Sequence, residues 1–404
     1  MPTIARVRKG KIYNLAGIRS VDSRRVGVSG KMCKWGRNDS GLLTRGHPMS
    51  HGFGWLLGLS LLLAAGGASM WWLTQSTPST LHPDTPNLPV MDDPTQDKEP
   101  PKKTEFGTAG DAKIDAAGVK FDGERALKYL KQLCDIGPRI SASEGMKKQQ
   151  EIIEKHFKDL GATVTRQEFK VRQRSRKADT EMVNLIITWH PDKTRRVALT
   201  THYDTRPIAD QEANRGNWNK PFVSANDGTS GVAFLMELGN HMKELKSEFG
   251  VDFILFDGEE YVFETNALGG GDKYFFGSEY FADDYVKTKE KRKFRYDAGI
   301  LFDLFAAKDA ALKVEQFSNT LAPKLLEQLW TVARAVGAKS FKFEAGHEVM
   351  DDHLALNRAG IPTVDIIDFD YPHWHKLSDT PDKISGAQMA EVCKVVTVWL
   401  EKIK

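Results

Sequence analysis

"VALTTHYD", residues Val197–Asp204, is the stretch on which the fold turns. Val197–Thr201 suit a buried, pleated surface, and they run straight into a histidine and an aspartate with no turn residue between. A short run of this kind without alternation reads as a strand buried on both faces, and such strands belong to parallel sheets. Similar β-branched or apolar runs recur on both sides, at Val164–Val171, Met182–Thr188, Val251–Phe256, Ile300–Leu304 and Thr363–Ile367. Around them, helical spacing predicts helices over Gly123–Cys134, Ser143–Leu160, Ser230–Leu245, Gly277–Val286, Ala322–Val336 and Ala387–Ile403. The second of these runs into Gly161, the residue type that commonly closes a helix. The alternation predicts an α/β fold with a mostly parallel, largely buried central sheet, in which functional groups gather just past the carboxyl ends of the strands.

The residues found there are polar. "THYD" brings His202 and Asp204, "SANDGTSG" Asp227, "FDGEE" Glu259 and Glu260, "LFDLF" Asp303, and "YPHWHKLSD" His375. Each alone has an ordinary reading: His-x-Asp as a surface loop, Asn-Asp-Gly as a turn, paired glutamates as a solvated face. Together, at five strand exits, they require a cation, because charged side chains are seldom buried unless paired or bound to metal. The three cysteines, Cys33, Cys134 and Cys393, are too few and too scattered for a disulfide framework or a thiolate cage. Cys134 and Cys393 fall on apolar helical positions and are expected as reduced core residues. A set of histidine and carboxylates suits zinc in a catalytic site with an open position.

The chain has 404 residues, 40% of them hydrophobic and 27% charged, which is enough to bury a sizeable core and excludes a wholly disordered or collagen-like chain. Its net charge of +3 is uneven: residues 1–52 carry 11 Lys and Arg against 2 Asp, a net of +9, so the remaining 352 residues sum to −6. The globular part is therefore mildly acidic, which argues against nucleic acid as a partner. Residues 1–52 read as a basic tail, or up to residue 48 as sequence upstream of a start at Met49. Phe53–Leu73, "FGWLLGLSLLLAAGGASMWWL", is 21 residues without a charge and predicts a transmembrane helix or signal anchor, with the catalytic domain outside the cytoplasm. A cleaved signal peptide, with "AAGGAS" as its cleavage region, is the competing reading and would give a secreted protein. Residues 74–114 form a Pro-rich linker, with seven prolines between Thr74 and Thr104, and the catalytic domain is expected over 115–404.

The ordered set His-Tyr-Asp, Asn-Asp-Gly, Asp-Gly-Glu-Glu, "YFFGSEYFA", Asp303, "DDHLALNRAGIP" and "WHKLSDTPDKI" resembles the zinc aminopeptidase superfamily that includes the glutaminyl-peptide cyclotransferases. "LCDIGPR" at Leu133–Arg139 matches the superfamily's opening motif, and the resemblance runs from Gly123 to the C-terminus. It implies a three-layer fold with a mixed, mainly parallel sheet flanked by helices. It also implies Asp227, Glu260 and His375 as zinc ligands and Glu259 as the proton-shuttling acid/base. The dinuclear peptidases add His202 and Asp303 around a second zinc, with Asp227 bridging. In the single-zinc cyclases the residues matching Asp303 and Asp351 hold a hydrogen-bond network beside the acid/base, and an indole at the position of Trp374 walls the glutamine pocket.

Two chemistries remain open, with a non-catalytic binding ectodomain as a third possibility. A peptidase makes its nucleophile from metal-bound water. A cyclase uses the substrate's own amine, and preorganised intramolecular attack supplies much of the rate. Trp374 directly before His375, the pair Asp351–Asp352, and the stretch from "DGEEYVF" to "DKYFFGSEYFA" favour the cyclase, acting on peptide or protein N-termini. Phe305–Ala306 depart from the small, glycine-containing sequence that cyclases tend to show, and Asn266–Lys273 places three glycines near the pocket mouth as a flap or a slack loop. Trp218 is a candidate substrate contact, and Arg206 is expected in an ion pair with a carboxylate. His156 and His241 are expected on the surface, and His353 and His373 as partners that orient metal ligands.

Overall fold

The computed structural model of the chain describes residues 119–265 and 271–403. The expectations for the basic tail, for Phe53–Leu73 and Cys33, for the linker, and for most of the Asn266–Lys273 loop lie outside these residues. No helix among the described residues is long and apolar enough to cross a membrane.

Two helices open the domain, α1 (Gly123–Cys134) and α2 (Glu144–Asp159). Asp122 and Ser143 cap them, their side chains accepting from the N–H of Arg125 and Met146, which satisfies donors that a helix start leaves free. Then come β1 (Thr163–Val171), β2 (Thr180–Trp189), β3 (Arg195–His202), α3 (Thr229–Gly239), β4 (Gly250–Phe256), α4 (Phe276–Lys287) and β5 (Arg295–Asp303). The rest of the chain adds β6 (Leu312–Val314), α5 (Gln316–Leu321), α6 (Pro323–Val336), β7 (Phe341–Ala345), α7 (His353–Arg358), β8 (Thr363–Ile367) and α8 (Gly386–Lys402).

The main sheet has the order β1-β2-β4-β3-β5-β8, and β6 and β7 make a small second one. β1, β2 and β4 pair antiparallel, whereas β4, β3, β5 and β8 pair parallel, so the sheet is mixed as the resemblance implies. Every residue of β4 and β8 is buried, and so is all of β3 past Arg195, which is why their sequences show no alternation. Helices α1, α3 and α8 touch one another and pack over one side of this sheet, and α4 and α7 contact each other and β4 or β5. Since the four parallel strands run in one direction, their carboxyl ends share one edge.

Two expectations are corrected here. The helix expected over Ser230–Leu245 ends at Gly239; Asn240–Leu245 form successive turns, and the apolar signal there comes from Met242 and Leu245, which are buried without being helical. His156 and His241 are not on the open surface. His156 Nε2 lies 2.8 Å from the Met236 carbonyl with its ring against Tyr129 and Phe157, and burial pushes its pKa down; His241 Nε2 lies 3.0 Å from Glu237 Oε1. Cys134 and Cys393 are free and buried, and burial lifts the Cys134 thiol to about 11.

Candidate active site

The parallel strands deliver their polar residues to the shared edge. His202 ends β3 and Asp303 ends β5, Glu259 and Glu260 sit in the turn after β4, and His375 follows β8; the strand exits are four and not the expected five, because Asp227 lies two residues ahead of α3 in the same loop that leaves β3. One nitrogen or oxygen from each of Asp227, Glu260 and His375 meets within 4.8 Å, all three residues being buried. His375 Nε2 is 3.1 Å from Glu260 Oε2 and 3.6 Å from Asp227 Oδ2. Even so, both oxygens of Glu260 and Oδ2 of Asp227 are buried without a hydrogen-bond partner. Polar atoms this close and not aligned on one another face a common point. Tetrahedral zinc with bonds of about 2.0–2.1 Å sets neighbouring ligand atoms about 3.3 Å apart, so this donor set fits such an ion.

A second set, His202, Asp227 and Asp303, also meets within 4.8 Å. Here His202 Nε2 lies 3.1 Å from Asp227 Oδ1 and makes a 3.3 Å hydrogen bond with Asp303 Oδ1. His202 Nε2 and Asp303 Oδ1 thus partner each other, while His202 Nδ1 and the shared Asp227 Oδ2 remain buried without a hydrogen bond.

The local backbone explains how such residues come together. Gly228, after Asp227, has φ +73°, and a Cβ there would stand 2.7 Å from His202 Cε1. Gly258, before Glu259, has φ +71°, and its Cβ would stand 2.5 Å from Met182 Sδ. His375 (φ 51°) and Leu304 (φ 48°) adopt the left-handed region without being glycine. That conformation costs on the order of 1–3 kcal/mol per residue and persists where the surroundings dictate it.

Three further carboxylates hold the turns, and the sequence pattern alone assigns none of them this role. Asp204 accepts from the N–H groups of Glu259 (3.1 Å) and Glu260 (3.2 Å). Asp379 accepts from the N–H groups of Asn226 (3.0 Å) and Asp227 (3.2 Å), and takes a hydrogen bond of 2.7 Å from the Tyr371 hydroxyl. Asp210 Oδ1 stands 2.9 Å from His375 Nδ1, although the ring N–H is off the straight line, and Arg206 donates to both of its oxygens. Arg206 is thus the paired arginine that was expected. The available signal for Asp210 was its spacing, four residues after that arginine; for Asp379 it was its place within "WHKLSDTPDKI".

The site opens into a cavity of about 390 Å³, within the range of ligand pockets. Of the residues singled out in sequence, Asp227, Glu259, Asp303, Asp351, Trp374 and His375 line it, with Tyr274 and Phe275 from "YFFGSEYFA"; Glu348, Val349, Met350 and Phe369, which were not singled out, complete it. The Trp374 ring lies 4.1 Å from that of His375 and 5.0 Å from that of Phe369. Burial, with Asp351 and Glu260 close by, pushes Glu259 well above the usual carboxylate range, and burial with Asp303 and Asp352 does the same to Asp351. Burial and the charge of Asp227 lift Glu260 to about 7. In contrast, the His375 contact and the Arg206 charge outweigh burial at Asp210 and hold it down at about 2. So many acids whose ionisation burial opposes form an environment that a bound cation relieves.

Other expected contacts fall elsewhere. Trp218 is not among the cavity residues; its indole N–H donates to the Glu212 carbonyl at 3.0 Å, and Arg215 lies over the ring. His353 is fully buried against Glu315 (3.3 Å) and Asp365 (3.9 Å), and His373 contacts the Ser378 hydroxyl, so neither stands against an expected ligand. Phe305 and Ala306 lie in the core, where Phe305 packs on Phe234 and Phe302, so that departure does not reach the cavity lining.

Residues 184–400 match peptidase family M28. The chain belongs to that family. Among solved structures, it is 56% identical to a glutaminyl cyclase from Fimbriiglobus ruber, with a TM-score of 0.71, covering 72% of this chain and 99% of that one. It is 29% identical to a leucine aminopeptidase precursor from Bacteroides thetaiotaomicron, with a TM-score of 0.65, covering 72% of this chain and 100% of that one. Against the glutaminyl-peptide cyclotransferase of Drosophila melanogaster it is 25% identical over 239 residues, 54% of this chain and 63% of the relative, so the match spans less than two-thirds of that protein's length. Cyclases and aminopeptidases thus share this fold, and this member of family M28 is an enzyme of one of those two kinds.

Proposed function

We propose that this family M28 enzyme is a zinc-dependent glutaminyl-peptide cyclotransferase, which converts an N-terminal glutamine to pyroglutamate with release of ammonia. The observation that carries this reading is the contrast between the two ligand sets. Asp227 and Glu260, beside His375, have carboxylate oxygens left without partners, whereas His202 and Asp303 bond each other. That contrast supports one ion, and a one-ion site suits an attack in which no water has to be activated. The high identity along almost all of the Fimbriiglobus ruber cyclase supports the same conclusion.

Asp227, Glu260 and His375 would hold the zinc, which when bound polarises the γ-carbonyl of the substrate glutamine. Glu259 faces the cavity beside these ligands, with its backbone anchored through Asp204. As the substrate's α-nitrogen bonds to Cδ, the Glu259 carboxylate takes a proton from that nitrogen. It returns the proton to the amide nitrogen as the Cδ–N bond breaks and ammonia departs. Asp303 and Asp351 line the cavity next to Glu259 and would complete its hydrogen-bond network. Trp374 walls the space for the folded-back glutamine side chain, and Phe275 and Phe369 add apolar surface that keeps out water, the competing nucleophile.

The second reading, a dinuclear aminopeptidase, draws on one observation: His202 and Asp303 do meet Asp227. One assay separates the two. Given a Gln-initiated and a Leu-initiated peptide, the zinc-loaded protein is expected to release ammonia from the first and no free leucine from the second. Leucine release without ammonia would replace the cyclase with the peptidase.

A further inference from the structure

Beyond the groups that serve the first substrate residue, the mouth of the cavity carries two side chains with no assigned role. Glu348, Val349 and Met350 line the cavity together with Glu259 and Trp374. Val349 is buried and its N–H donates to Glu315 Oε1 at 3.0 Å, which fixes the segment. Glu348 and Met350 on either side of it are exposed, Met350 by 56%. Both side chains line the cavity and are open to solvent at once, so a peptide chain leaving the cavity on this side passes them. The bases close by are already engaged, His347 with Asp370 at 2.8 Å and Lys313 with the same aspartate at 3.0 Å. Glu348 is left without a cationic partner among the described residues.

We propose that Glu348 and Met350 form the subsite for the residue that follows the N-terminal glutamine, and that this subsite selects lysine or arginine. Both side chains lay a methylene stem on apolar surface and keep the charged head in water. Met350 offers the stem an adaptable surface, and Glu348 offers the head a counter-charge. The inference rests on the reading of this cavity as the seat of a peptide's N-terminal residue. Because the pair would sit at a wet rim, its expected effect is modest, roughly two- to fivefold.

The test uses the zinc-loaded full chain and three peptides that differ only in the second residue, Gln-Lys, Gln-Leu and Gln-Glu. The expected KM is lowest for Gln-Lys and highest for Gln-Glu. Glu348→Gln should erase the difference between Gln-Lys and Gln-Glu, Glu348→Lys should reverse it, and rising salt should shrink it in the original protein. Met350→Ser should raise KM for Gln-Lys and Gln-Leu alike. Equal KM for all three peptides, or a preference that survives Glu348→Gln, overturns the proposal. If no Gln peptide yields ammonia, the cyclase reading has failed instead. The subsite is then read from leucine release by Leu-Lys, Leu-Leu and Leu-Glu peptides, where the same ranking supports it and a flat one overturns it.

Discussion

At the scale of single residues, Asp227, Glu260 and His375 stand close without bonding one another, which a shared ion explains and a hydrogen-bond network does not. Glu259 differs from its neighbour Glu260 in place and in expected role: it lines the cavity. Glu259→Gln keeps the shape and removes the proton acceptor. Turnover should fall by about 10²–10⁴-fold, the size of a general acid–base contribution, while zinc measured by elemental analysis stays bound. Near-normal turnover in that variant would remove Glu259 from the mechanism. These residues were legible because their types are chemically costly at strand ends. Asp204, Asp210 and Asp379 were less so, because their function is to hold backbone N–H groups or a histidine ring, and such partners exist only once the chain has folded.

At the scale of elements, the rim of the cavity depends on a buried carboxylate far from the ligands in sequence. Glu315 caps α5, accepting from the N–H of Phe317 (2.9 Å) and of Ser318, and it also accepts from Val349 N–H at 3.0 Å. Burial alone would raise its pKa, but the contact with His353 and these N–H donors outweigh it and hold the group below its ordinary value of 4.5. A carboxyl depressed by folding stabilises the protein above its unfolded pKa, and that stability drains away as pH falls below about 4.5 towards the folded value. Glu315→Gln should therefore cost about 2 kcal/mol at neutral pH, from hydrogen bonds that lose their charged acceptor. Chemical denaturation should show that cost shrinking as pH drops below about 4.5, whereas a pH-independent cost would contradict the assigned ionisation. The elements legible in sequence were β1 to β5, β8, α1, α2, α4, α6 and α8, each of which shows a helical period or an apolar, β-branched run. The strands β6 and β7 have three and five residues and pair only with each other, too short to show a period. In α3 the pattern outran the helix, because Met242 and Leu245 are buried by tertiary contacts that follow no helical spacing.

At the scale of the whole molecule, four parallel strands turn separate stretches of sequence into one site. The loops after β3, β4, β5 and β8 open at the same edge, and the first of them carries Asp227 on its way into α3. That convergence follows from the α/β pattern, so the location of the site could be read before its geometry. What the pattern did not contain was occupancy, because one ion or two depends on which carboxylate oxygens lack partners. The most direct measurement is an anomalous difference map of the zinc-loaded protein across the zinc absorption edge. One peak is expected, within bonding distance of Asp227, Glu260 and His375, with Glu259 alongside and unbound. A second peak of equal height between His202 and Asp303, or no peak at the first position, would contradict the account.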